Sequence, residues 1–164
     1  MKKVNDITLR KYLENVGIEL NDGVDSATVP LMVDYGDGGK PVAIAIYHTN
    51  EDGSAVCGGE TPQGMSLSVG GIDREGIMET SKSTIEQALG SEETKNLLIF
   101  PCISRYLMLS PNSDDELNQV IDMIDGRIPY SMAYAGGEIC PVKDGSGKYY
   151  NRIHNYTFVS CALN

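Results

Sequence analysis

The chain has 164 residues, of which 41% are hydrophobic, so one domain with a substantial core is the expected organisation. Its 13 basic and 23 acidic side chains give a formal net charge of −10, which aids solubility and leads us to expect no nucleic-acid partner. No run approaches the roughly 18 consecutive apolar residues of a membrane-spanning helix, and the polar start is unlike a signal peptide, so we expect a cytoplasmic protein with no membrane partner.

The N-terminal segment has the pattern of a short amphipathic helix. Asp6 can cap its N-terminus, and Gly17 can end it in a left-handed conformation. Apolar residues recur there at helical spacing: Leu9, Tyr12, Leu13 and Val16. We therefore predict one helix at the start of the chain.

Strand patterns follow this helix. Residues 28–35 and 41–49 are rich in β-forming residues, and the glycine-rich residues 36–39 between them predict a β-hairpin. Residues 65–69 alternate apolar and polar side chains, which predicts a strand with one buried face. We expect residues 54–57 to pair with that strand.

The middle of the chain has the pattern of a helix followed by a buried strand. Apolar residues at mostly helical intervals predict a helix over 74–89, with Gly90 as its stop. Residues 96–104 are apolar almost throughout, which is typical of a central strand buried on both faces. Because Pro101 cannot donate a ladder hydrogen bond, we expect a bulge or a strand end near it.

The last third of the chain is predicted to hold one more helix and two strands. Ser113 and Glu116 have the spacing of a capping box at the start of the helix. Its apolar stripe consists of Leu117, Val120, Ile121 and Ile124. Strands over 130–135 and 156–163 complete the elements, and residues 145–147 mark an exposed loop between them.

The order of these elements indicates the fold class. Strands and helices come in unequal clusters without a regular βαβ rhythm, which is typical of an α+β fold. We expect a single domain over residues 1–164, with a largely antiparallel or mixed β-sheet covered by a few helices.

The cysteines and the known catalytic motifs give no sign of a metal or cofactor site. The four cysteines lack the close pairing of zinc and dithiol redox sites, and each lies in or beside an apolar segment: Cys57, Cys102, Cys140 and Cys161. A phosphate-binding loop, a His-Glu-x-x-His motif and a serine nucleophile elbow are all absent from the sequence. We expect reduced, buried thiols, no metal and no cofactor.

Three polar motifs stand at the ends of apolar runs. They are Phe100-Pro101-Cys102-Ile103-Ser104-Arg105, Tyr134-Ala135-Gly136-Gly137-Glu138-Ile139 and Asn151-Arg152-Ile153-His154-Asn155-Tyr156-Thr157. These polar motifs suggest a pocket for a small ligand.

Arg105 directly follows the predicted buried strand, so we expect its guanidinium to emerge at the edge of the sheet. There it could bind a ligand carboxylate through two charge-assisted hydrogen bonds. The alternative is an internal ion pair, and the sequence leaves both open.

Gly136, Gly137 and Glu138 follow another predicted strand. Paired glycines let the backbone approach a ligand closely, and their amides can donate hydrogen bonds. The Glu138 carboxylate could accept from a ligand amino group or pair with Arg105. Ligand contact and structural pairing are both consistent with the sequence.

His154 and Asn155 stand just before the last strand, and each side chain can donate and accept hydrogen bonds. They suit polar ligand recognition, although a histidine near a sheet can equally be a structural hydrogen bonder. Cys102 could be a nucleophile with His154 as base and Asn155 or Glu138 as orienting group. Its alternative is a small residue of the core.

Together these motifs resemble the FIST C-terminal domain. The likeness lies in Cys102-x-x-Arg105 after an apolar strand, in Gly137-Glu138-Ile139 and in His154-Asn155-x-Thr157, in the order and approximate spacing of that family. Residues 61–65 resemble, more loosely, the family's turn into a strand. The family's N-terminal FIST domain is missing, so we expect a fragment of a longer protein.

The resemblance implies an intracellular sensory domain in signal transduction that binds a small ligand, such as an amino acid or related carboxylate. It implies relay to an N-terminal FIST domain or a signalling output domain, and it does not imply catalysis. By side-chain chemistry, Arg105 would hold a ligand carboxylate, Glu138 an amino group, and His154 with Asn155 the remaining polar atoms. The alternatives are a protein-interaction module, as in F-box FIST proteins, and a thiol-dependent enzyme using Cys102.

Overall fold

The computed structural model describes residues 1–20 and 28–164 and has an α+β fold, which confirms the predicted class. The helices are α1 (Leu9–Asn15), α2 (Arg74–Leu89), α3 (Ile103–Met108) and α4 (Asp115–Ile124). The strands are β1 (Lys3–Val4), β2 (Ile7–Thr8), β3 (Leu31–Asp34), β4 (Val42–Ile44), β5 (Ile46–Thr49), β6 (Ala55–Cys57), β7 (Ser66–Val69), β8 (Asn96–Pro101), β9 (Tyr130–Met132), β10 (Glu138–Lys143), β11 (Tyr149–His154) and β12 (Phe158–Leu163). Within these two described ranges, no helix combines the length and apolar character needed to cross a bilayer.

The chain forms two compact units, and each unit takes residues from two separate stretches. The first unit comprises Met1–Gly71 and Ile139–Asn155. The second comprises Ile72–Glu138 and Tyr156–Asn164. Each unit therefore depends on contacts between residues that are far apart in sequence.

The sheets of the first unit confirm the predicted hairpin and correct one pairing. Strand β3 pairs antiparallel with β4, and Gly36 and Gly38 between them have φ angles of 68° and 73°, which glycine adopts without strain. Strand β7 pairs with β3, whereas β6 pairs with β5. The expected pairing of 54–57 with 65–69 is therefore wrong. A tight turn, in which the Asn50 N–H donates to the Ser54 carbonyl, joins β5 directly to β6.

Helix α1 forms as predicted but with a different cap. It begins at Leu9, and the Thr8 hydroxyl accepts a hydrogen bond from the Lys11 N–H at 3.3 Å. Asp6, the predicted cap, instead has a φ of 68° in the turn between β1 and β2. The reason is that Ile7 and Thr8 pair with β1, so the helix starts only at Leu9 and Thr8, not Asp6, is the residue that precedes it.

Apolar side chains from α1 and from β3 to β6 form the core of the first unit. The members are Leu9, Leu13, Leu31, Val33, Val42, Ile44, Ile46 and Ala55. Val16, which shares the predicted helical spacing, is 52% exposed. In the core of this unit, one side of the short helix α1 packs against strands β3 to β6.

Strands β10 and β11 pair with each other, whereas the sequence predicted only an exposed loop over 145–147. The turn between them is held by Asp144, whose Oδ1 accepts from the N–H groups of Ser146 and Lys148, both at 2.9 Å. Arg152 of β11 pairs with Asp37 at 2.5 Å and stacks 3.8 Å from the Tyr35 ring centroid. These contacts tie β11 to the β3–β4 turn of the same unit.

The second unit contains a three-stranded sheet with β8 in the centre. Strand β8 pairs antiparallel with β12 and parallel with β9. Helix α2 packs against β12 and α4, and the core between them comprises Ile85, Leu97, Ile99, Val120, Ile124 and Phe158. Phe100 is 37% exposed, so the expectation that this strand is buried on both faces is wrong. One face packs against the helices, and residues on the other face retain partial exposure.

Strand β8 ends at Pro101, as predicted, but residues 103–104 begin a helix rather than continuing the strand. The Cys102 N–H still donates to the Thr157 carbonyl at 2.9 Å, and the chain then turns into α3. This helix is only six residues long, too short for a recognisable helical period. Arg105 therefore occupies a buried position on a short helix and not the edge of the sheet.

The two longer helices differ in how well the sequence predicted their starts. Helix α2 spans Arg74–Leu89 as predicted, with Asp73 accepting from the Gly76 N–H at 2.6 Å. Helix α4 has no side-chain hydrogen bond at its N-cap, so the predicted capping box is wrong. Glu116 is fully buried and bonds to Arg105. This contact joins two helices, so the local sequence pattern does not reveal it.

Candidate functional site

Three segments of the second unit meet at the C-terminal end of β8. On one side the Cys102 N–H donates to the Thr157 carbonyl at 2.9 Å. On the other side the Ile103 N–H donates to the Ala135 carbonyl at 2.8 Å. Since β8 is the central strand, the segments that follow β9 and precede β12 flank its end. The first two polar motifs and the last residues of the third therefore come together here.

Arg105 is the best connected side chain of this region and is only 4% exposed. Its Nε and Nη2 donate to Glu116 Oε1 at 2.9 and 2.6 Å. Nη1 donates to the Tyr156 carbonyl at 3.1 Å, and Nη2 also lies 2.8 Å from the Ile77 carbonyl and 3.3 Å from the Ser81 hydroxyl. The internal ion pair, which the sequence left open as the alternative, is thus the arrangement that the structure contains.

Glu138 is 6% exposed and stands at the start of β10. The Thr157 hydroxyl donates to its Oε2, whereas Oε1 has no hydrogen-bond partner among the described residues. Burial raises the pKa of the Glu138 carboxyl, while the Thr157 hydrogen bond and the Arg105 charge act in the opposite direction. Glu138 Oε1 can therefore accept a hydrogen bond from a further donor.

Tyr134 is a further polar residue of this region, and the sequence motif contained it without assigning it a role. Its ring packs edge-on against Tyr106, with centroids 5.3 Å apart. Its hydroxyl is enclosed and, within the described part of the chain, has no hydrogen-bond partner. Burial raises the pKa of Tyr134 to about 12, with the Glu116 charge adding to this effect and the Arg105 charge opposing it. The hydroxyl is therefore neutral at physiological pH.

Three enclosed oxygens around Arg105 share one property: none has a partner among the described residues. They are Glu116 Oε2, Tyr134 Oη and Glu138 Oε1. Buried polar groups in folded proteins are nearly always hydrogen-bonded, and leaving one unpaired costs about 1–3 kcal/mol. Sequence reasoning missed Glu116 and Tyr134, because their proximity to Arg105 depends on how α4 and β9 pack.

The two glycines of the second motif also lie at this end of the sheet. Gly137 has a φ of 157°, which residues with a side chain rarely adopt. A Cβ at Gly136 would meet no atom within 4 Å. The backbone before Glu138 therefore has a conformation that requires glycine and open space beside it.

His154 and Asn155 belong to the first unit, and their role as ligand contacts stays a prediction. Asn155 is 1% exposed, and its Oδ1 accepts from the Ala45 N–H at 2.8 Å. His154 is half-buried, and burial together with the Arg152 charge lowers its pKa. These contacts give Asn155 a structural function in joining the end of β11 to Ala45, the residue between β4 and β5.

Cys57, Cys102 and Cys161 are free thiols, as predicted. Cys102 is fully buried at the start of α3, whereas Cys57 and Cys140 are partly buried and Cys161 is exposed. The expectation that every thiol is buried is therefore confirmed for Cys102 and wrong for the other three. Cys161 lies in the second half of β12, whose last three residues are all exposed. In the described ranges, no three His, Cys, Asp or Glu side chains are placed to hold a metal ion.

An open cleft of about 760 Å³ lies in the first unit, between the N-terminal residues and residues 61–67. Its polar lining includes Lys2, Thr61 and Gln63. None of the enclosed, unpartnered polar atoms of the described residues belongs to its lining. The end of β8 therefore has the stronger chemical features of a binding site.

Comparison with known families supports the resemblance seen in the motifs. A family model for the FIST C domain matches residues 8–141. This range contains the end of β8 and the glycines before Glu138, and it stops before His154. Neither the comparison with curated proteins nor the one with solved structures finds a match.

Proposed function

Since this chain belongs to the FIST C domain family, a sensory family of signal transduction, we propose that it binds a small ligand and relays occupancy to signalling domains. The ligand is an amino acid or a related compound, bound inside the cell. The relay partner is an N-terminal FIST domain or an output domain, attached or separate. The proposed role is binding and not catalysis, because the Cys102 thiol is fully buried, whereas a reactive cysteine is partly exposed.

The observation that supports this proposal best is the group of three unpartnered oxygens around Arg105. Two belong to side chains that are at least nine-tenths buried, Glu116 at 0% and Glu138 at 6% exposure. A donor supplied by a ligand would satisfy them and recover the free energy that their burial costs. A purely structural role for Glu138 would leave its Oε1 atom without a donor, whereas a ligand would supply one.

Each residue of this region then has a distinct role. Glu138 and Tyr134 contact the ligand, and the backbone at Gly136 and Gly137 allows it to approach. Arg105 acts as a positioning residue, because it holds Glu116 and the Tyr156 carbonyl in place and has no idle donor pair for a ligand carboxylate. This revises the role that side-chain chemistry alone suggested for Arg105.

The proposal is tested by a thermal-shift screen of the protein against amino acids and related small amines and carboxylates. Ligand at 100 times its Kd stabilises the folded state by about 2.7 kcal/mol, so an upward shift in Tm is expected. Tyr134→Phe should reduce that shift while the variant stays folded, because it removes only an unpartnered hydroxyl. Tyr149→Phe, at a tyrosine that is 63% exposed, is the matched control and should leave the shift unchanged.

A Tm that no compound changes at millimolar concentration would contradict small-ligand sensing. So would a shift that the two tyrosine variants alter equally, because the ligand would then bind away from Tyr134. Circular dichroism of both variants establishes that the comparison is made between folded proteins.

A protein-interaction module is the second candidate, and the exposed side chains of β10 and β11 favour it. Ile139 is 70% exposed and Tyr149 is 63% exposed, and Tyr150 and Ile153 are each 41% exposed. Exposed apolar groups on one hairpin are typical of a contact surface. Ile139→Asp should then weaken association with an N-terminal FIST domain, measured by calorimetry, without changing the response to small ligands.

A further inference from the structure

We infer that the group recognised at the end of β8 is a protonated amine and not a carboxylate, an inference that rests on the ligand site proposed above. The site then selects cationic ligands, among them amino acids bound through their ammonium group. The carboxylate of such a ligand has no dedicated partner at the end of β8.

The charges around Arg105 favour this assignment. Arg105 is engaged with Glu116 through its Nε and Nη2 atoms, so those two charges balance each other. Glu138 is left with the neutral Thr157 hydroxyl as its hydrogen-bonding partner among the described residues. A buried carboxylate without a cation is unfavourable, and a ligand ammonium would supply the missing charge.

The unpartnered atoms match the hydrogen-bonding capacity of an ammonium. Glu116 Oε2, Glu138 Oε1 and the hydroxyl oxygen of Tyr134 can all accept hydrogen bonds. An ammonium offers three N–H donors and no acceptor. Hydrogen bonds place these groups in one region. Arg105 donates to the Tyr156 carbonyl, and the hydroxyl of the next residue, Thr157, donates to Glu138. Ala135, which follows Tyr134, accepts from the Ile103 N–H.

A ligand carboxylate would meet the opposite conditions. To form a two-bond pair through Nε and Nη2 of Arg105, it would have to displace Glu116, which is fully buried and bonded to Arg105 at 2.6 Å. The displaced Glu116 would keep its charge without a partner, and the ligand carboxylate would add a third negative charge to those of Glu116 and Glu138. Like charges at such distances disfavour one another strongly when they are shielded from water.

The experiment compares three probes of equal chain length: butylamine, butyrate and 1-butanol. Butylamine should raise the Tm, and the other two should not. Glu138→Gln should weaken butylamine binding about tenfold or more, as expected for the loss of a charge-assisted hydrogen bond. Glu79→Gln, which removes one exposed carboxylate from α2, is the matched control for general attraction of cations and should bind butylamine as the unchanged protein does.

The pH dependence of butylamine affinity gives an independent readout. Binding of a cation requires ionised Glu138. Burial raises the pKa of this carboxyl, whereas the Thr157 hydrogen bond and the Arg105 charge oppose that effect. Glu116 and Tyr134 are the other titratable groups with unpartnered oxygens in this region. Affinity should therefore rise with pH above the ordinary glutamate value of 4.5 and level off once Glu138 is ionised. In Glu138→Gln this rise should be absent.

The possible results separate the inference from the proposed function. Stabilisation by butyrate but not butylamine would overturn the inference and leave the ligand site standing. Equal butylamine binding by the Glu138→Gln variant would also overturn it, because the cation would then bind to the acidic surface in general. If neither these probes nor the amino acids of the wider screen bind, the proposed function itself is contradicted.

The Glu138→Gln variant retains a side-chain oxygen that can accept from Thr157, so it should fold, and its melting curve verifies this.

Discussion

Arg105 and Glu116 are joined in a buried ion pair, although each suggested a different role in the sequence. Arg105 was expected to bind a ligand carboxylate, and Glu116 was expected to cap a helix. In the structure they bond to each other at 2.6 Å with 4% and 0% of their side chains exposed. Removing one partner would leave the other charge buried and uncompensated, so each residue depends on the other.

Removing one partner of this pair should destabilise the protein strongly. Arg105→Ala leaves the Glu116 charge buried and uncompensated, and we expect a loss of about 3–5 kcal/mol in the free energy of unfolding. The measurement is urea unfolding followed by circular dichroism. Arg74→Ala is the matched control, since Arg74 pairs with Asp115 at the surface, and it should cost about 1 kcal/mol or less.

A double substitution keeps this prediction testable if Arg105→Ala does not fold. Arg105→Met combined with Glu116→Leu removes both charges together and should recover much of the lost stability. Equal losses for Arg105→Ala and Arg74→Ala would show that the buried pair contributes no more than a surface pair.

At the scale of single elements, helix starts show how a local signal succeeds or fails. Asp73 caps α2 through a hydrogen bond of 2.6 Å to the Gly76 N–H, and the helix has the predicted bounds. Ser113 had an equally good spacing to Glu116, yet α4 begins at Asp115 without a side-chain cap. The difference arises because Glu116 is drawn into the interior by a residue of another helix.

This contrast leads to a prediction for the two caps. Asp73→Ala should lower the free energy of unfolding by about 1 kcal/mol, because it removes the acceptor for a helix N–H. Ser113→Ala should change it by less than about 0.5 kcal/mol, since no cap is lost. Chemical unfolding of the two variants in parallel makes the comparison, and a larger loss for Ser113→Ala would mean that the predicted capping box forms in solution.

At the scale of the whole molecule, the excess of acidic side chains acts on every part of the surface. The net charge of −10 produces mutual repulsion that disfavours the compact state. Salt shortens the range of this repulsion, from about 30 Å at 0.01 M to about 8 Å at 0.15 M. The buried Arg105–Glu116 pair is screened much less than exposed charges are.

We therefore expect the Tm to rise as NaCl is increased from about 0.01 to 0.15 M. Glu92→Gln with Glu93→Gln removes two exposed charges, so this variant should have a higher Tm at low salt and a smaller response to NaCl. Differential scanning calorimetry measures both effects. A Tm that falls with salt would show that attractive surface pairs such as Lys11–Glu14 outweigh the general repulsion.

Patterns carried by neighbouring residues predicted a large part of this fold from the sequence by itself. The sequence predicted the bounds of α2 from apolar residues at helical intervals and a glycine stop. It predicted the β3–β4 hairpin from glycine conformations and the end of β8 from the missing N–H of Pro101. These preferences act within a few residues along the chain and need no knowledge of the rest of the molecule. The polar motifs likewise pointed to the end of β8 and the Gly136–Glu138 segment as parts of a ligand site.

Only the tertiary structure decided which side chains meet. It paired Arg105 with Glu116, brought Tyr134 and Glu138 to the same end of β8, and placed His154 and Asn155 with the first unit. Strands β10 and β11 escaped prediction although the turn between them is local, with Asp144 accepting from the Ser146 and Lys148 N–H groups. The pairing of Arg152 with Asp37, in contrast, joins residues 115 positions apart. The energy of such contacts depends on burial and on charges from distant segments, and no short stretch of sequence contains that information.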